Sequence, residues 1–197
     1  PDPQRAWDEE RDNLAAVLTG HGVEVLRPRK LTALEKSTPG KDGYSNFFVR
    51  DPFFTVGEFV IEGSLRFLHR RNEILPVRPI FDARVYPSQC QYVAVPRPEL
   101  GSQAELGPGP FLEGGDVLVL GRHVFVGSSG LASNPLGARW LSKLLAPAGY
   151  TVEPVRLRPD ILHLDCALGL IRDGLMVVCE VALIDGVPDM LASWARI

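Results

Sequence analysis

The feature that most constrains this chain is a recurring order of strand, strand, helix, strand, punctuated in the same way each time. Val117 to Leu120 and Val124 to Val126 are apolar, β-prone runs flanking Gly121-Arg122-His123, which is hairpin spacing. Ser133 or Asn134 stands where it can cap a helix over about 136–146, and Pro147 and Gly149 close that helix. Val152 to Val155 then reads as a strand. Leu162 to Ile171 and Leu175 to Cys179 flank Asp173-Gly174, a strong hairpin turn signal, and another helix is expected over 188–194 with Pro188 near its first turn. Upstream, Phe47 to Val49 and Phe53 to Ile61 read as a strand pair broken at Asp51-Pro52, because proline removes a ladder donor. A short helix is expected over 65–75. A period of roughly fifty residues argues for modules repeated around an axis rather than one doubly wound sheet.

Outside the repeats, residues 7–19 have the period of an amphipathic helix, with Trp7, Leu14, Val17 and Leu18 on one face. Gly20 and Gly22 end it, Val23 to Leu26 reads as a strand, and 29–45 as loop. Residues 96–110, rich in proline and glycine, read as a connector.

A chain of 197 residues with 45% apolar residues can bury a substantial core as a single domain, 1–197. A net charge of −3 and a pI near 5.8 give no basic footprint for nucleic acid. No apolar run approaches membrane-spanning length, no signal peptide is visible, and the chain opens on Pro1-Asp2-Pro3 rather than Met. Cys90, Cys166 and Cys179 are odd in number and lack CxxC spacing, which argues against a disulfide framework or a zinc site and for a reducing, cytoplasmic setting.

Three motifs carry chemistry. Glu113-Gly114-Gly115-Asp116 precedes a strand, His163-Leu164-Asp165 lies in an apolar run, and Arg50-Asp51-Pro52 sits at a strand edge. Singly, each has a plain structural reading: a glycine turn, a satisfied core histidine, a surface ion pair. Together they supply carboxylates and one imidazole, a set suited to gripping a planar cation and moving its protons. A guanidinium presents five donors in one plane and is held bidentately by carboxylates. A nearby histidine protonates a departing nitrogen and then activates the next nucleophile. At strand spacing Asp165 shares the His163 face, and Cys166 points away into the core. Arg66, Arg70, Arg71, Glu73 and Arg78 read as a solvated charged helix face. His21, His69 and His123 read as surface residues.

From about Asn46 onward the sequence resembles the amidinotransferase superfamily of guanidino-modifying enzymes: glycine and inosamine-phosphate amidinotransferases, arginine deiminases and dimethylargininases. The resemblance rests on Arg50-Asp51 with Val56-Gly57, then Glu62, Arg70, Glu73 and Arg78; on Leu112 to Leu118; on Asn134, Gly137, Trp140 and Leu141; and on His163-Leu164-Asp165. It implies an α/β fold, the five-bladed α/β propeller (pentein) of ββαβ modules, here incomplete at both ends. It implies His163 and Glu113 as catalytic residues, with His163 the general acid/base, and Asp51, Asp165, Arg50 and Asp116 as substrate-binding residues. The family nucleophile is a cysteine near the C-terminus after a glycine-rich stretch, which this sequence lacks. The expected reaction is amidino transfer from arginine or a relative to an amine through a covalent amidino-cysteine. The alternatives are hydrolysis, or a catalytically dead guanidine-binding module. The Arg-Asp and His-Leu-Asp pairs argue against a dimethylargininase, and the tryptophan-leucine stretch favours transfer. Where amidinotransferases carry substrate-facing arginines, Ala182 and Ser129 stand here. No cofactor and no metal are expected. An arginine-like small molecule is the expected partner, without nucleic acid or membrane and with homo-oligomerisation left open.

Overall fold

The computed structural model describes residues 2–38, 43–99, 101 and 106–197. Parts of the expected 29–45 loop and of the 96–110 connector therefore lie outside the described residues.

The recurrence is real at the level of topology. The first module pairs β1 (Phe53–Val56) antiparallel with β2 (Phe59–Glu62), crosses through α3 (Arg78–Arg84) and returns as β3 (Gln91–Ala94) parallel to β2. The second pairs β4 (Val117–Leu120) with β5 (His123–Ser128), crosses through α4 (Pro135–Leu145) and returns as β6 (Thr151–Arg156). The third pairs β7 (Leu168–Arg172) with β8 (Leu175–Val178), and a short β9 (Ala195–Arg196) lies parallel to β8. Each sheet has three strands and stands alone.

Local chemistry explains these elements. Gly121 and Gly174 take positive φ at the two hairpin turns, where a Cβ would be strained. Asn134 caps α4 by accepting from the Gly137 amide, and Pro135 occupies the first turn. β5 shows why the modules pack side by side. Its Val124 and Val126 face one apolar cluster with Phe54, Ile61, Leu112 and Leu141, while Phe125 faces the next with Leu164, Leu168 and Met176. Alternation along a strand thus puts a core on both faces of the middle sheet. Bridges Ser64–Leu112 and Leu157–Leu183 tie each module to its neighbour.

Several expectations fail for identifiable reasons. Val23 to Leu26 and Phe47 to Val49 form no strand, and Phe47, Phe48 and Val49 are about half exposed, so no sheet partner pays for their ordering. Residues 65–75 give 3₁₀ turns at Leu68–Arg70 and Leu75–Val77 rather than one helix. Residues 162–167 are not strand: Leu164–Cys166 winds into a 3₁₀ turn. The helix expected over 188–194 is a 3₁₀ turn at Asp189–Leu191.

Ahead of the modules come α1 (Pro3–Gly20), capped by Asp2, and α2 (Ala33–Ser37), closed by a Thr32–Glu35 capping box. α1 buries none of its residues; its apolar contact is Trp7 edge-on against Phe47.

Candidate functional site

The three motifs occupy equivalent places. Asp51, Glu113 and His163 each stand a few residues before the first strand of a module, β1, β4 and β7. Packing the modules side by side brings these three leads together. Asp51, Glu113 and His163 are all buried, and ligating atoms of the three lie within 4.8 Å of one another.

Two glycines make that approach possible. A Cβ on Gly114 would sit 1.9 Å from the Arg50 carbonyl oxygen, and one on Gly115 would meet Asp51 and His163 at 2.8 Å. Gly115 also donates its amide to Asp51 Oδ1 at 3.0 Å. The Gly-Gly pair therefore serves close backbone approach more than turn flexibility.

His163 Nε2 lies 2.9 Å from Glu113 Oε2, and its Nδ1 lies 3.9 Å from Asp51 Oδ1. Burial works against the imidazolium, but the Glu113 hydrogen bond and the charges of Asp51 and Asp116 outweigh it. The histidine pKa is raised above its ordinary value. Glu113 is anchored in turn: its amide donates to Ser133 Oγ, and its Oε1 accepts from the Arg66 amide.

Arg70 corrects the sequence reading most. Expected on a solvated helix face, it is only 6% exposed and sits among the carboxylates. Its Nε and Nη2 donate to Glu73, Nη2 also donates to Asp51 at 2.8 Å, and Nη1 donates to Glu113 at 3.2 Å. The chain thus supplies one guanidinium to its own clamp, and Glu73, also buried, is that guanidinium's bidentate partner. Burial opposes the charge on Arg70, but the Glu73 and Asp51 hydrogen bonds raise its pKa all the same. A cation is therefore already in contact with the Asp51 and Glu113 carboxylates that could otherwise hold a metal. The signal missed was composition: Arg70 and Glu73, three apart, are bracketed by Phe67, Leu68 and Ile74.

Asp116 does not face the clamp as a substrate contact. Its Oδ2 accepts from the Ser133 amide and its Oδ1 from the Leu164 amide, at 3.1 and 2.9 Å. It accepts from the turn that follows His163, within residues 162–167 that form no strand. Burial pushes its carboxyl up to about 6 against those hydrogen bonds.

Arg50 and Asp165 form the rim. Arg50 Nε pairs with Asp165 Oδ2 at 2.7 Å and Nη2 donates to the Val117 carbonyl. Asp165 is not on a common strand face with His163; the 3₁₀ turn carries it to a partly exposed position beside the histidine. Cys166 is likewise exposed rather than core-packed, with its Sγ 3.8 Å from Asp165 Oδ1.

No family model matches the chain. Inosamine-phosphate amidinotransferase 1 of Streptomyces griseus is 31% identical over 96% of this chain and 58% of its own length. A second Streptomyces griseus relative, named for the same activity, is 33% identical over 100% of this chain and 60% of its own. Among solved structures, an inosamine-phosphate amidinotransferase of Streptomyces griseus superposes with a TM-score of 0.77 at 27% identity, covering all of this chain and 60% of that one. A saxitoxin-pathway amidinotransferase of Microseira wollei gives 0.79 at 22% identity, a likeness of fold. The chain thus resembles the amidinotransferase group in sequence and in fold. Within it, the relatives at 30–33% identity are named inosamine-phosphate amidinotransferases. The chain spans about 60% of the length of these curated relatives. Among the described residues, no helix is long and apolar enough to cross a membrane.

Proposed function

We propose that this chain supplies the guanidine-binding and proton-transfer groups of a cysteine-dependent amidinotransferase acting on arginine or a relative. The observation that carries the reading is a charge imbalance. Among the described residues Asp51, Glu73 and Glu113 are buried together, against Arg70 and a protonatable His163. Buried carboxylates in excess are costly unless a further cation completes them, and a substrate guanidinium matches their geometry.

In this reading Glu113, Asp51 and Asp165 hold the substrate guanidinium. A cysteine thiolate attacks its central carbon, and the bond to the ornithine-type nitrogen breaks as His163 gives that nitrogen a proton. An amine acceptor then loses a proton to His163 and displaces the thiolate. The three ββαβ modules are read as blades of a five-bladed propeller with the cluster on its axis. Val181, Ile184 and Met190 of the third module are exposed apolar side chains of the kind a neighbouring blade would cover. The nucleophile is assigned, on the family resemblance, to a cysteine other than Cys90, Cys166 and Cys179.

The test is product release from arginine by the protein carrying that cysteine, with and without amine acceptors. Acceptor-dependent ornithine is the expected product; citrulline would mean hydrolysis instead. His163→Asn should lower turnover by about 10²–10⁴-fold while arginine still binds by calorimetry, and Cys166→Ser should leave turnover intact. Full turnover in His163→Asn would reduce His163 to a structural residue and sink the assignment.

A further inference from the structure

The helix α1 buries none of its side chains, yet it reaches the carboxylate cluster through a chain of rings. It is tethered by an ion pair, Arg27 Nη2 to Asp12 Oδ1 at 2.7 Å, and by the Trp7 ring, which stands edge-on to Phe47 with centroids 5.3 Å apart. Phe47 in turn stands edge-on to Phe48 at 4.7 Å, and the Phe48 ring centroid lies 5.6 Å from Cζ of Arg70. Three rings thus connect an exposed helix to the guanidinium that balances the buried carboxylates.

The segment that carries the two phenylalanines is pinned at its flanks, by the Ser45 amide on the His69 carbonyl oxygen and by the buried Asp51. Between them, among the described residues, 46–49 form no strand and no backbone–backbone hydrogen bond. Trp7, Phe47 and Phe48 are each about half exposed. A half-exposed ring on an unpaired segment gains little by keeping one rotamer; edge-on packing against its neighbours is what favours one. Where Phe48 is held matters for Arg70. All three Arg70 guanidinium nitrogens donate to carboxylates, on Glu73, Asp51 and Glu113. An aromatic ring beside that guanidinium attracts it and displaces water, and ion pairs strengthen as water leaves.

We propose that Trp7 is a positioning residue for the carboxylate cluster: through Phe47 it holds Phe48 against Arg70 and keeps water from the internal counter-ion. Trp7 contacts none of the acids itself. The proposal concerns the Arg70 ion pairs and does not depend on the chemistry assigned to His163.

Solvent exchange of the Arg70 Nε–H, followed by NMR, tests it, with the Leu141 amide in the core of α4 as the monitor of global opening. Trp7→Ala should exchange the Arg70 proton about two- to tenfold faster, the range that loss of one edge-on pair allows, and leave Leu141 unchanged. Trp7→Phe keeps a ring at the position and should restore a rate near that of the parent. Arg27→Gln, which cuts the ion pair and leaves the rings, should also stay near the parent. Phe48→Leu should speed exchange by itself, and adding Trp7→Ala to it should change nothing more, because the link is already broken. An unchanged Arg70 rate in Trp7→Ala, equal rates in Trp7→Phe and Trp7→Ala, or a further acceleration in the double variant would overturn the proposal. So would a parallel acceleration at Leu141, or an Arg27→Gln effect as large as that of Trp7→Ala, since either would make the effect one of general stability or helix docking.

Discussion

Replacing Arg70 with methionine should be among the most damaging single changes in this protein, despite a side chain of similar length and apolar stem. Arg70 makes four hydrogen bonds, two to Glu73 and one each to Asp51 and Glu113, all within the buried cluster. Methionine fills much of the space but leaves three carboxylates without their guanidinium. Removing one partner of a buried ion pair costs about 3–5 kcal/mol, a large share of a total stability of about 5–15 kcal/mol. For a chain of this size that corresponds to a melting temperature lower by about 6–20 °C. Arg78→Met is the control: its pair with Glu62 is long, at 3.4 Å, and its side chain is about half exposed. It should cost no more than about 1 kcal/mol. Urea titrations at pH 5 and pH 8 supply the diagnostic. Protons neutralise the carboxylates that Arg70→Met has stripped of their cation, so the deficit should shrink at pH 5. Adding Glu73→Gln to Arg70→Met should recover part of the loss, giving a favourable coupling between the sites. A deficit below about 1 kcal/mol, or one unchanged between the two pH values, would refute the claim that Arg70 is the internal counter-ion.

Two further outcomes follow from the same cluster. His163, raised above its ordinary value, binds its proton more tightly folded than unfolded. Its stabilising contribution is full below about pH 6.5 and disappears as pH rises through the folded value. Side-chain NMR titration should find His163 above its unfolded value and should find it lowered in Glu113→Gln; titration below the unfolded value would be incompatible with the Glu113 contact. Asp116, pushed up to about 6 from an ordinary 3.8, should make the protein lose stability as pH climbs from about 4 to 6, since the folded state holds that proton longer. Asp116→Asn should flatten that slope, cost about 1–3 kcal/mol and expose the Ser133 and Leu164 amides to hydrogen exchange. Unchanged protection of Leu164 would remove the positioning role given to Asp116.

The topology was legible because it is written in local chemistry. Gly121, Asp173-Gly174 and Asn134-Pro135 specify their turns and cap without help from distant residues, and the hairpins and α4 appear where those signals put them. The failures share the opposite property. Residues 162–167 are apolar enough for a strand, yet they wind into a turn whose Leu164 amide donates to Asp116, 48 positions away. Phe47 to Val49 have strand-forming side chains but no strand to pair with. In each case a tertiary partner, present or lacking, overrides propensity.

The candidate site divides along the same line. That Asp51, Glu113 and His163 converge was readable because each leads into the first strand of its module, so packing the modules side by side brings equivalent positions together. Arg70 lies between the β2 and α3 segments of the first module, and no repeat logic places it. Its charge made exposure the default reading, and a buried guanidinium becomes reasonable only once three carboxylates are known to surround it. This residue also changes what the cluster can do. Without it, several buried carboxylates would repel one another and draw protons, weakening their grip on a cation. With Arg70 fixed on Glu73 and reaching Asp51 and Glu113, part of their charge is balanced from within while the carboxylates remain in excess. An environment preorganised in this way exerts its field on an incoming guanidinium without first having to rearrange. The internal arginine therefore does not compete with the proposed substrate; it makes a dense set of acids tolerable in a dry site, which is the condition the proposed chemistry needs.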